Sequence, residues 1–383
     1  MDEAAAVPGA APRARGAGLP PALKAEWLLP LSLLTALAFL LFGNAIFATL
    51  QNPVALFLVF LWLFLVVLFS ALSVVRHAEA VAARLGEPYG TLILTLSITG
   101  IEIIGITAVM THGGPNPTLV RDTLFSVIMI ILNGMVGLSL LFGAWRNREQ
   151  QFNLQSANAY LGVVVPLATF ALVMPNFTQA GPPGTYSLPQ QTVLVVMSVG
   201  LYVVFLVLQT GRHRGYFREA EEGPHHEARH APKASLGVSI ALLLAYLAPV
   251  VFLVDQLAQP IDYLIETLAA PAPLGGLTMA LLVATPEAIG AVRAARANNL
   301  QRSVNIFLGS VLSTIGLTVP AMLVISQIIG RPVVLGLEHT DIVMLVLTLA
   351  TAIITFASGR TNILQGAVHT LLFVCYVLLI FEG

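Results

Sequence analysis

The feature that most limits what this chain can fold into is a succession of long apolar runs. Eleven stretches, each with the roughly twenty mostly apolar residues that a bilayer-crossing helix needs, follow one another between residues 27 and 381. They fall at about 27–49, 53–75, 89–111, 122–144, 156–175, 190–210, 235–256, 273–294, 303–328, 340–358 and 361–381. Several limits are soft, because membrane helices tolerate Gly and Pro, and only Ser358, Gly359 and Arg360 divide the last two spans. Charged residues make up 10% of the chain, against about 25% in soluble domains, too few for a water-covered surface. An all-α polytopic membrane protein is expected. One Cys excludes a disulfide framework and a cysteine-rich metal site, and a net charge of −1 offers no footprint for nucleic acid.

Residues 1–24 are rich in Ala, Pro and Gly without helical periodicity, and read as a disordered cytoplasmic tail. Residues 25–52 carry the first helix. Because more spans follow, that helix is expected to stay in place rather than be cleaved as a signal peptide. The positive charges orient the rest. Of the 18 Lys and Arg, 16 fall at helix ends on the side of the N-terminus, and only Arg121 and Arg331 fall on the other. By the positive-inside rule the N-terminus is cytoplasmic and the C-terminus external. One span more or fewer in mid-chain would invert the second half and spoil the partition.

The charged, His-rich stretch 211–234 is the longest hydrophilic connection and the natural midpoint. It separates one helix plus a five-helix unit, 53–210, from a second five-helix unit, 235–383. Five is odd, so duplicated units must sit in opposite orientations, the ground plan of many secondary transporters. Local sequence agrees. Glu102 in ITGIEIIGI and Glu287 in VATPEAIGA each follow a Thr and precede Ile-Gly at the same offset, and each lies in the second helix of its unit. In the next helix of each unit, the spacing that pairs Arg121 with Arg302 also pairs Asn133 with Thr314.

Glu102 and Glu287 are the acidic residues placed well inside spans. A charge at mid-bilayer costs at least about 2.5 kcal/mol, so an intramembrane carboxylate marks function by default. A protonated Glu bonding a neighbouring helix is the alternative for one such residue. It is less natural for two at equivalent places. Facing carboxylates suit a hard cation, and Ca²⁺ takes 6 to 8 oxygens; Asn133, Ser310, Ser313, Thr314, exposed carbonyls and water would complete the shell. Gly100, Gly105, Pro286 and Gly290 flank the acids, so both helices are expected to be loosened there. Desolvation disfavours the ionised form, which sets protons and cations in competition for one site. Competition at an alternately exposed site is exchange.

The two segments resemble the paired alpha-repeats of the calcium/cation antiporter superfamily, most closely its ChaA-type bacterial calcium/proton antiporters. The resemblance is carried by RDTLFSVIMIILNGMVGLSLLFGAWR and PEAIGAVRAARANNLQRSVNIFLGSVLSTIGLTVP, over about residues 93–154 and 278–322. It implies Glu102 and Glu287 as the central ion ligands, with Asn133 and Ser310 as neighbours, in a bacterial inner-membrane antiporter. Two departures stand out. Gly100-Ile101 and Thr285-Pro286 occupy places where many relatives have an Asn before the Glu, and Ile128-Met129 stands where the second repeat has Gly309-Ser310. The implied cation is Ca²⁺, or Na⁺ or K⁺, exchanged for protons.

Other signals carry less. His226-Glu227-Ala228-Arg229-His230 matches HExxH formally but lies between Pro224 and Pro232 without an apolar helix face. His213, His225, His226 and His230 fit a flexible linker or a cytoplasmic pH sensor. His369 reads as a hydrogen-bonding helix contact, and Asp122 and Asp341 as helix-end carboxylates or funnels for cations. No phosphate loop appears, so no nucleotide or other cofactor is expected and ion gradients would drive transport. Enzyme chemistry has no nucleophile or metal set within the spans. A cation channel remains the rival from another class.

Overall fold

The computed structural model describes residues 26–86, 89–111, 116–179, 181–217 and 235–382. Among the described residues are eleven helices long and apolar enough to cross a membrane: α1 (Leu28–Phe47), α2 (Pro53–Leu85), α3 (Tyr89–Thr111), α4 (Leu119–Arg146), α5 (Leu154–Phe177), α6 (Leu188–Thr210), α7 (Leu236–Thr267), α8 (Pro273–Arg296), α9 (Leu300–Ile329), α10 (His339–Phe356) and α11 (Ile363–Glu382). The chain is an integral membrane protein. Local chemistry sets the helix starts. Asn52 accepts from the Val54 N–H at 2.9 Å ahead of Pro53, Asn153 caps α5 through the Gln155 N–H at 2.9 Å, and Asn299 caps α9 through the Arg302 N–H at 3.1 Å.

Two helices outrun the expected spans. α2 continues to Leu85 and α7 to Thr267. At 1.5 Å per residue, the 33 residues of α2 reach about 50 Å, well past a hydrocarbon core of about 30 Å. Its polar extension carries Arg76, His77 and Glu79. Arg76 donates to Glu26 at 2.6 Å, and the Tyr246 hydroxyl donates to the same carboxylate at 2.8 Å, fastening the start of α1 to α2 and α7. The narrow division between the last two spans is real. Gly359 adopts φ 69°, a left-handed turn that glycine enters without penalty, and Arg360–Thr361 pairs antiparallel with Gln150–Gln151, joining the α10–α11 turn to the α4–α5 connection.

Helices α4 and α9 form the centre. Every residue from Leu119 to Gly137 is buried, as befits a helix enclosed by protein on all sides. Close approach at small residues lets α11 lie against α4: a Cβ on Gly137 would meet the Thr370 N at 2.7 Å, and one on Gly366 the Leu141 N at 2.7 Å. Each central helix contains a π-helical turn, Ile130–Met135 in α4 and Thr314–Thr318 in α9. The expected loosening beside the acids is thus displaced. α3 and α8 are continuous α-helices through Gly100, Gly105, Pro286 and Gly290, and the irregular turns lie in the helices opposite them. A wide turn leaves backbone carbonyls and side chains free to serve a site, and such turns recur at functional positions.

Candidate ion-binding site

Glu102 on α3 and Glu287 on α8 both turn toward α9, which packs against each of their helices. Glu102 is 2% exposed. Its Oε2 accepts from the Thr318 hydroxyl at 2.7 Å and the Thr314 hydroxyl at 3.2 Å, while Oε1 is buried without a partner. Glu287 is half-buried and accepts from the Ser310 hydroxyl through Oε2. One face of α9 therefore serves both acids, with donors at 310, 314 and 318. The i, i+4 spacing that brings such residues onto one helix face was legible from Thr314, yet sequence reasoning stopped there and missed Thr318. Ser310, which donates to Glu287, lies one helical turn from Thr314, which donates to Glu102. Among the described residues no Lys or Arg pairs with either one, and hydroxyls are their partners. Two anionic groups so placed call for a mobile cation or protons, because an unpaired buried charge is costly.

The remaining expected ligands divide. Ser313 lines the same cavity as Glu287, but its hydroxyl donates to the Ser310 carbonyl at 2.9 Å. Asn133 is fully buried and faces elsewhere. Its Nδ2 donates to the Thr348 hydroxyl at 2.8 Å, its Oδ1 lies 3.4 Å from His369 Nδ1, and His369 Nε2 meets the Thr355 hydroxyl at 3.0 Å. The α4 amide is thereby engaged by α10 and α11 and bonds to neither glutamate. His369 is the interhelical contact that its position suggested.

A cavity of about 240 Å³ leads to Glu287 and Ser310 from the end of the molecule that holds Glu79, Arg302 and Asn305. Tyr160 and Tyr202 line its wall. A second cavity, of about 330 Å³, lies at the other end around Arg121, Asp122, Glu338 and Asp341. There Arg121 donates to Asp122 at 2.8 Å, to the Gly336 carbonyl at 3.1 Å and to Glu338 at 3.3 Å. The two helix-end aspartates that sequence left separate share this cavity, and the paired arginines Arg121 and Arg302 stand one at each mouth. His225, His226 and His230 lie outside the described residues. His213 packs at a tilt against Tyr216, and Phe217, just after it, inserts edge-on against Tyr160 and Phe205.

Comparison with known proteins accords with this geometry. A putative ionic transporter, y4hA, of Sinorhizobium fredii is 44% identical over 307 residues, covering 80% of this chain and 83% of its own length. The sodium-potassium/proton antiporter ChaA of Escherichia coli is 40% identical over 321 residues, covering 82% and 86%. Among solved structures, the Ca²⁺/H⁺ antiporter protein YfkE superposes with a TM-score of 0.69 at 17% identity, covering 94% of this chain and 99% of that one. The model of the sodium/calcium exchanger protein family matches residues 55–211 and 238–382, the two five-helix stretches on either side of the charged connection. With matches on both sides of its midpoint, the chain belongs to the sodium/calcium exchanger protein family.

Proposed function

We propose that the chain is a secondary active cation/proton antiporter that moves Ca²⁺ out of the cytoplasm against an inward flow of protons, with Glu102 and Glu287 as the coupling site. One observation carries this reading: two intramembrane carboxylates with no cationic partner among the described residues share the hydroxyl row of α9, one at the floor of a cavity and the other sealed from solvent. Loaded with a divalent cation or with protons the site is neutral and can reorient; empty, it holds charge that a low-dielectric interior resists. Neutralisation before movement makes the two fluxes obligatory partners.

The positive charge at the Arg302 end supports a cytoplasmic N-terminus, an external C-terminus and an inward-facing Glu287 cavity. The two matched stretches and the π turns in α4 and α9 support units repeated in inverted orientation. Ion gradients would supply the driving force, without a resident cofactor. A second reading, sodium or potassium as the main cation, is favoured by the 40% identity to a sodium-potassium/proton antiporter. It is also favoured by the ligand shell, because with Asn133 engaged elsewhere the oxygens offered to Ca²⁺ must include backbone and water to reach six. The test is dye-monitored collapse of a preformed pH gradient in everted vesicles, with Ca²⁺, Na⁺ and K⁺ added separately. Collapse by Ca²⁺ at the lowest concentration supports the first reading, and collapse by Na⁺ or K⁺ alone supports the second. A gradient untouched by all three overturns both.

A further inference from the structure

The two cavities are built from corresponding parts of the two units but end differently. In each unit the last helix brings two aromatic rings, three residues apart, to the π turn of the central helix. On α6 these are Tyr202 and Phe205, and on α11 they are Phe373 and Tyr376. The first ring of each pair rests on a glycine of that turn: a Cβ on Gly316 would meet the Tyr202 ring at 3.1 Å, and one on Gly134 the Phe373 ring at 3.2 Å. The second ring of each pair then lies one turn further toward the mouth. At the Arg302 end this ring is Phe205. It sits 4.7 Å from Tyr160 in the cavity wall, and the passage beside it runs on to Glu287.

At the Arg121 end the second ring is Tyr376, and it is held differently. Its hydroxyl lies 2.7 Å from the Ser126 hydroxyl, and its ring stands edge-on to Phe125 at 5.5 Å and 89°. Ser126, Phe125 and Tyr376 line the inner end of that cavity. Beyond them α4 is buried without interruption as far as Gly137, past Met129 and Asn133. Tyr376 thus stands between solvent and the layer that holds the polar centre of the first unit, and its ring is 3% exposed.

We propose that Tyr376, latched to Ser126, is the gate that closes the Arg121 end of the transport path, with Phe205 as its unlatched counterpart at the open end. A phenol can switch between a hydroxyl partner on α4 and water in the cavity at small net cost, because each exchange replaces one hydrogen bond by another. Phenylalanine has no such latch, so the two ends are gated by different forces. Packing alone would shut the Arg302 end, and packing plus a hydrogen bond shuts the Arg121 end. Tyr376 acts here as a positioning residue that controls exposure and does not ligate the ion.

The assignment rests on the antiport reading, but its test does not use transport. Met129 lies one turn inward from Ser126. A Met129→Cys variant in a Cys375→Ala background is treated with a membrane-impermeant thiol reagent in right-side-out and in everted vesicles. Tyr376→Phe and Ser126→Ala should each speed labelling from the Arg121 side roughly fivefold, the weight of one hydrogen bond of about 1 kcal/mol. Tyr376→Ala should speed it further, and labelling from the Arg302 side should not change. If labelling does not respond to Tyr376→Phe or Ser126→Ala, or rises equally from both sides, the gate is overturned, since general loosening has no preferred face. Should side-specific labelling respond while no variant or parent exchanges cations, the gate stands and the antiport reading falls.

Discussion

Glu102 and Glu287 lie in similar sequence motifs in the two halves of this chain, and both accept from α9 hydroxyls, yet they differ in exposure and in the number of donors. Glu102 is sealed, carries two hydroxyl donors and has an oxygen with no partner. Glu287 faces a cavity and has one donor. Related sequence therefore yields unequal sites, and the inequality comes from the helices opposite. α9 offers hydroxyls at 310, 314 and 318, whereas α4 presents Met129 and a committed Asn133. One acid thus opens to a cavity at one end of the molecule, and the other is withheld from solvent.

The largest break in this comparison comes from removing charge. Glu102→Gln and Glu287→Gln should each abolish proton-coupled cation uptake in everted vesicles while membrane insertion, followed by blotting, is preserved. Gln keeps size and one oxygen but cannot release a proton. Near-normal uptake in either variant would place coupling elsewhere. Next come the hydroxyls. Thr318→Val deletes a donor to a carboxylate, an interaction worth about 1.5 to 3 kcal/mol, and should raise the cation KM roughly tenfold or more. Thr314→Val, whose bond is longer at 3.2 Å against 2.7 Å, should do less. Equal KM values in the two variants would erase the distinction drawn within the α9 row.

Acidification sharpens the same picture. If protons and the cation compete for the same two carboxylates, lowering the pH on the loading side should raise the apparent cation KM and leave the rate at saturating cation less affected. A KM independent of pH would separate the proton path from the cation path. Smaller still is the mouth. Glu338→Gln removes a contact to Arg121 while leaving Arg121 paired with Asp122; Glu338 is 74% exposed, and exposed ion pairs contribute about 0 to 1 kcal/mol. Exchange should fall by less than about fivefold, and the effect should shrink as salt is added. The smallest effect is expected from replacing His225, His226 and His230 together with Ala: the maximum exchange rate stays nearly unchanged, with at most a shifted pH profile.

The membrane fold was legible because hydrocarbon thickness imposes a length on each span and leaves little freedom in reading it. All eleven helices stand where the apolar runs put them, with misreadings at polar extensions such as Arg76 to Leu85 that hydropathy alone cannot assign to a helix. The acids were legible for the same reason, since carboxylates are expensive inside spans. Their partners were less so. Thr314 and Ser310 could be found by the repeat and by resemblance, but which way Asn133 turns depends on Thr348 and His369, on α10 and α11 far along the sequence. The π turns were less legible: each contains a glycine, Gly134 or Gly316, but glycine and proline also flank the acids, where the helices stay regular, so the pattern does not distinguish the two places.

That a single helix carries the donors for both acids has a consequence for how the two halves can vary over time. A change at 310, 314 or 318 is felt at a buried carboxylate at once, whereas α4, relieved of that duty, can exchange its small polar residues for apolar ones without touching either glutamate. If the two units descend from one duplicated gene, they are free to drift unevenly, and Ile128 and Met129 at the spacing of Gly309 and Ser310 fit that lopsided freedom.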